Sequence, residues 1–168
     1  REPYENEPES RGIAYYNEEQ LTHLVLKANQ NGFQVEVHAH GDRATDITLA
    51  AYEKALKQGV AKDFRNIITH VRLLHDEQIR RICDLGIMVN GTPGVNGWNP
   101  TRFRIEAFNV GDRRAKLLSR LRSLWDQGAM ISAGSDCHAC HPFGPIFFIH
   151  RMINRGNFSH EAPFTVDE

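Results

Sequence analysis

Apolar positions along the chain follow two alternating rhythms. Leu21, Leu24, Val25 and Ala28 recur at helical spacing behind Asn17, with Gln20 at the third helical position, so the pattern predicts a capped helix over 18–30 closed by Asn31-Gly32. From Phe33 to Ala39 the rhythm changes to alternation, which predicts a strand. Asp42 is placed to cap a second helix through Lys57, with Ile47, Ala50, Ala51, Ala55 and Leu56 on its buried face. The run "NIITHV" then predicts a strand ending in His70. Asp76 is placed to cap the helix "EQIRRICDL", which Gly86 ends, and "IMVNG" is a further strand. The Gly-, Pro- and Asn-rich stretch over 92–112 is expected to be a long loop before a helix over 113–127. A fourth strand, "AMISAGSD", leads into the loop "CHACHPFGP" and an apolar helix near 145–154.

The resulting order is one helix and then four βα units, with no hairpin signal. That alternation implies a parallel sheet with helical crossovers, an α/β fold. A chain of 168 residues, 40% hydrophobic, can bury one core, so 1–168 is expected to form a single domain. Lys and Arg number 20 against 21 Asp and Glu, and this balance leaves no electrostatic footprint for nucleic acid or an anionic membrane. A small-molecule substrate is favoured instead. Three cysteines without framework spacing, and no apolar run of about 18 residues, fit a soluble cytoplasmic protein.

Three of the four strands end in a residue able to bind a metal: His38, His70 and Asp136. Side chains just past the carboxyl ends of parallel strands converge on one rim. Two imidazoles and a carboxylate suit zinc or another borderline divalent ion with a position left for water, and Asp136 is placed to take a proton from it. In "VHAHGD", His38 and His40 lie two apart on a strand and so share a face, which leaves open a two-histidine site or one ligand with a bystander. Plainer roles stand beside these: Asp136 in "GSD" could cap the following segment, and a histidine at a strand end could be structural. Asp42, besides capping, could orient His38 from behind. Cys137, His138, Cys140 and His141 put four donors within five residues, tighter than ordinary tetrahedral zinc frameworks, so His138 reads as a pocket or surface residue.

The blocks "VHAHGDRATDITLAAYE", "IITHVRLLHDEQIRRICDLGIMV" and "GAMISAGSD" together resemble consecutive blocks of the amidohydrolase superfamily, in particular its amidohydrolase-3 branch, similar to N-substituted formamide deformylases. The resemblance implies a (β/α)8 TIM barrel with metal ligands at the ends of strands 1, 4, 5, 6 and 8. It places His38 at the strand 5 ligand, His70 at the strand 6 ligand, and Asp136 at the strand 8 aspartate that binds metal and shuttles the proton. His40 falls where the family pattern is variable and often apolar. The strand 1 His-x-His and the strand 4 ligand have no counterpart here, and "NGTPGVNGW" stands where relatives more often carry Gln-Pro.

A whole barrel needs roughly 250 residues, so the resemblance implies a C-terminal half with about four βα units, strands 5 to 8. The implied function is metal-dependent hydrolysis of carbon-nitrogen, amide-type bonds through a metal-activated water, incomplete without the other half. A non-catalytic binding or regulatory module derived from such a barrel is the alternative, and a fragment of a longer enzyme is a third. Half a barrel also predicts completion by another copy or by the missing half. The expected contact surface is apolar, drawn from Val35, Val37, Ile67, Ile68, Ile87, Val89, Met130 and Ile131.

Overall fold

The computed structural model describes residues 1–60, 62–93, 100–137 and 144–154. Among these the elements run α1 (Glu18–Gln30), β1 (Glu36–Ala39), α2 (Asp42–Lys57), a short 3-10 turn (Lys62–Phe64), β2 (Ile67–His70), α3 (Asp76–Leu85), β3 (Met88–Gly91), α4 (Pro100–Ala115), α5 (Leu121–Asp126), β4 (Ile131–Ala133) and α6 (Pro145–Ile153). The four strands are parallel and adjacent in chain order, β1-β2-β3-β4. Strands laid down in order, each joined to the next by a crossover of the same hand, keep their helices on one face. Accordingly α1 packs on α2, α2 on α3, and α3 on α5. The other face of the sheet is left to the chemistry described below.

The main core fills the space between sheet and helices. Val37, Ile68, Val89 and Ile131 form one row across the four strands and point into it. They meet Val25, Leu49, Tyr52, Ile79, Ile82 and Leu124, all essentially inaccessible to solvent. Six of the eight apolar residues expected to line an open face, Val35, Val37, Ile68, Ile87, Val89 and Ile131, therefore belong to this core or pack against it, because strand alternation gives each strand only one apolar side. The opposite side carries Glu36, His38, Thr69, Asn90 and Ser132 in the intervening rows. It is mostly polar.

Helix α1 begins as its sequence predicts: Asn17 Oδ1 accepts from Gln20 N at 2.9 Å, and Gln20 Oε1 accepts from Asn17 N at 3.0 Å. Its buried face differs, with Leu21, Thr22, Val25 and Asn29 inside and Leu24 turned outward. Asn29 is buried because it is fully engaged. Its Nδ2 donates to Phe33 O and Asn66 Oδ1, while Asn66 Nδ2 donates back and Asn66 Oδ1 accepts from Val35 N. This pair fastens the end of α1 to the start of the sheet. In α2 the buried face includes Thr45 and Thr48, whose hydroxyls donate to Gly41 O and Ala44 O one turn back. Satisfied in this way, a threonine buries as a small apolar residue would.

Two helix starts are corrected. Gly41, not Asp42, is the N-cap of α2, and Asp42 is its first helical residue. Helix α3 is capped from His75, whose backbone N donates to Gln78 Oε1 at 3.0 Å, so Asp76 lies one position inside. Gly86 ends α3 in the left-handed conformation, as its position predicts.

The larger correction is the stretch expected as a loop up to residue 112 with a helix over 113–127. Helix occupies Pro100–Ala115 and, separately, Leu121–Asp126. The break inside α4 is at Gly111, whose φ of 80° only glycine adopts at little cost. Helix α4 forms a second apolar cluster with Leu73 and Leu118 beyond the carboxyl ends of the strands. Arg72, buried on the segment leaving β2, pairs with Glu106 of α4 and ties that helix down. No helix among the described residues is long and apolar enough to cross a membrane.

Candidate metal centre

His38 lies within β1 and His40 just beyond its end, so alternation sends both to the polar face of the sheet. His70, the last residue of β2, pairs in register with Ala39, whose side chain is buried against the helices. Alternation alone would send it the same way. Its φ of 79°, followed by 42° at the β-branched Val71, re-aims the side chain instead. Two consecutive non-glycine residues in this region carry real strain, and such strain concentrates at functional sites.

The result is a cluster of three imidazoles. Ring centroids are 4.8 Å apart for His38 and His40, which stack, 4.4 Å for His38 and His70, and 4.3 Å for His40 and His70. One ligand nitrogen from each lies within 4.8 Å of the others. His70 is buried, His40 half-buried and His38 exposed, so the cluster opens from the protein interior to solvent. Nδ1 of His70 lies 2.9 Å from Oγ1 of the buried Thr92, just past β3. For Nε2 to be the metal-binding nitrogen, Nδ1 carries the hydrogen and donates it to that hydroxyl.

This donor set fits a borderline divalent ion. Zinc binds imidazole at about 2.0–2.1 Å, which puts tetrahedral nitrogens about 3.4 Å apart. Beneath His38 on the same face, Glu36 Oε1 accepts from Asn90 Nδ2 at 3.0 Å and from Thr69 Oγ1. The Asn90 hydrogen bond foremost, then that of Thr69, holds the Glu36 carboxyl below the usual glutamate range. A fixed negative charge therefore sits next to the imidazoles and favours a cation there.

Asp136 follows β4 in the segment past its carboxyl end, exposed, with a φ of 50°. It lies outside the three-histidine group. Asp42 is buried but turns to a different partner from the one expected: its Oδ2 is 3.0 Å from His75 Nε2, and its backbone carbonyl accepts from Gln78 Nε2 at 2.7 Å. These contacts join the start of α2 to the start of α3. Cys137 is exposed, while His138, Cys140 and His141 lie outside the described residues.

Thr92 and Glu36 were not singled out from sequence. Glu36 could have been, because "EVHAH" alternates polar and apolar over five positions and so sets Glu36, His38 and His40 on one face. Thr92 had no such signal. Its role depends on β3 lying beside β2, and on a backbone turn at His70 that composition does not encode.

The chain is similar to known proteins in both sequence and fold. The chain is 30% identical over 161 residues to an N-substituted formamide deformylase of Arthrobacter pascens, covering 94% of this chain and 28% of that protein. Two crystal structures of metal-dependent hydrolases share its fold. The one from Pyrococcus furiosus superposes with a TM-score of 0.79 at 29% identity, over 92% of this chain and 30% of the other. The one from Pyrococcus horikoshii OT3 gives 0.77 at 26%, over 92% and 29%. The chain thus spans less than a third of the length of each of these relatives. A sequence profile of the amidohydrolase family matches residues 1–166, and the chain belongs to that family.

Proposed function

We propose that this chain supplies strands 5 to 8 of a (β/α)8 amidohydrolase barrel, and that the complete barrel hydrolyses carbon-nitrogen bonds of small, non-peptide amides. The observation that carries the reading is the meeting of His38 and His70 from the ends of two neighbouring parallel strands. Similarity to an N-substituted formamide deformylase supports the amide class. A divalent metal, for which zinc suits these donors, would supply Lewis acidity and lower the pKa of a water molecule.

The chain's own residues have distinct parts in this. His38 and His70 hold the ion, and Thr92 keeps the His70 ring oriented. Asp136, on the segment leaving β4, takes the proton from water and returns it to the departing amine. The polar face bearing Glu36, Thr69 and Asn90 lines the interior once the barrel is completed by its remaining strands or by a second copy. The exposure of Asp136 outside the histidine group favours one second reading, a binding module that retains the metal without turnover.

The test is amine release from a panel of N-substituted formamides and other simple amides, measured with the zinc-loaded and chelator-treated complete barrel over a concentration series. The expected result is zinc-dependent release that His70→Ala and Asp136→Asn both abolish. Zinc uptake without release at any concentration would leave the binding module. Failure to take up zinc would remove both readings.

A further inference from the structure

We infer that His40 is a third imidazole ligand, joining His38 and His70 in holding a divalent transition-metal ion. This rests on the metal-site reading above and extends it to a residue that the strand-end pattern leaves over.

The geometry favours His40 at each step. It sits two residues beyond His38 on the same face, and its ring is as near to His70 as the His38 ring is. Its ligand nitrogen belongs to the same 4.8 Å group. The strained backbone at His70 and Val71 turns the third ring toward both members of the β1 pair. Three imidazoles with a ligand nitrogen of each within 4.8 Å of the others are an arrangement that packing alone does not require. Neither nearby carboxylate competes for the role. Glu36 is held by Asn90 and Thr69, and Asp136 lies outside the group.

Three imidazole donors have a chemical consequence. They select Zn²⁺, Co²⁺, Ni²⁺ or Cu²⁺ and discriminate against Mg²⁺ and Ca²⁺, which require oxygen ligands.

The experiment titrates the chelator-stripped chain with Zn²⁺ against a chromophoric competitor, and with Co²⁺ by visible absorption. Wild-type protein is expected to take up one equivalent of either ion and none of Mg²⁺. Losing a positioning partner already costs about 10–100-fold in affinity, so losing a ligand should cost at least about a hundredfold. His40→Ala and the polar His40→Gln are both expected to show that loss, as is His38→Ala, while His23→Ala on the exposed side of α1 binds as wild type does. X-ray absorption on the zinc-loaded wild type needs no variant and is expected to show three imidazoles. His40 variants that bind as tightly as wild type, or a spectrum with two imidazoles, would overturn the inference. If His38→Ala and His70→Ala lose the ion while His40→Ala keeps it, the metal-site reading survives without His40. If the wild type takes up no zinc, both fail.

Discussion

Replacing Thr92 with valine removes one hydroxyl and almost no volume. That hydroxyl is 2.9 Å from His70 Nδ1, with Thr92 2% and His70 4% exposed, so water does not readily take its place. Taking away a partner from a buried polar atom costs about 1–3 kcal/mol. Thr92→Val should therefore lower the urea midpoint at unchanged slope, by an amount corresponding to that range. The second effect is on the ion. With the ring no longer held in one orientation, zinc affinity should fall by about 10–100-fold, which is about 1.4–2.8 kcal/mol. Thr92→Ser, which keeps the hydroxyl, should recover most of the affinity but not all of the packing. Competition titration of the two variants reads the affinity, and equilibrium unfolding without metal reads the stability. Equal zinc affinity in the valine variant and the wild type would refute the claim that Thr92 positions His70.

Tyr52 is buried against the sheet, and its hydroxyl donates to Ile67 O at 2.8 Å; Tyr52→Phe should cost about 1 kcal/mol in urea unfolding, and no loss would mean that the bond contributes nothing net. A Cβ at Gly91 would lie 2.9 Å from Leu121 Cδ1, so Gly91→Ala should destabilise by about 1–3 kcal/mol, and adding Leu121→Ala should show coupling in a double-mutant cycle; strict additivity would contradict the predicted clash. The Asp76 carboxyl is held below the ordinary aspartate value chiefly by the Arg120 guanidinium at 2.6 Å. A depressed folded-state pKa gives stability that is present above the unfolded value and lost as pH falls through the folded one. Between about pH 5 and pH 2, then, wild-type stability should fall more steeply than that of Asp76→Asn, and parallel curves would show that the pair contributes nothing.

Much of the architecture is legible in residue order. The Asn17–Gln20 cap, Gly86, and the alternation of apolar runs with helical stripes are local signals, and each is read from a few neighbouring residues. The misplaced helix over 100–115 shows where local signals fail. Its Asn and Gly residues argue for a loop, yet Phe103, Ala107 and Val110 bury together against Leu73 and Leu118, and tertiary packing outweighs propensity. The open face was misjudged for a related reason. A strand with apolar residues at alternate positions has one apolar side, and the helices already claim it, leaving Glu36, His38, Thr69 and Asn90 opposite. His38 and His70 were visible because strand ends are visible. The shared face of His38 and His40 was legible from alternation, but that the His70 ring turns to meet both was not, because it depends on a left-handed backbone at His70, which no residue type there announces. Asp42 was noticed for the right reason, a carboxylate at a helix start, but its partner His75 lies 33 residues away in the chain.

The central claim is that one ion is held between the ends of β1 and β2. It is tested most directly by growing crystals with zinc and collecting data on both sides of the zinc absorption edge. The account predicts a single anomalous peak about 2.0–2.1 Å from a ring nitrogen of His38 and from Nε2 of His70. A peak held by other residues, or none at saturating zinc, would contradict it.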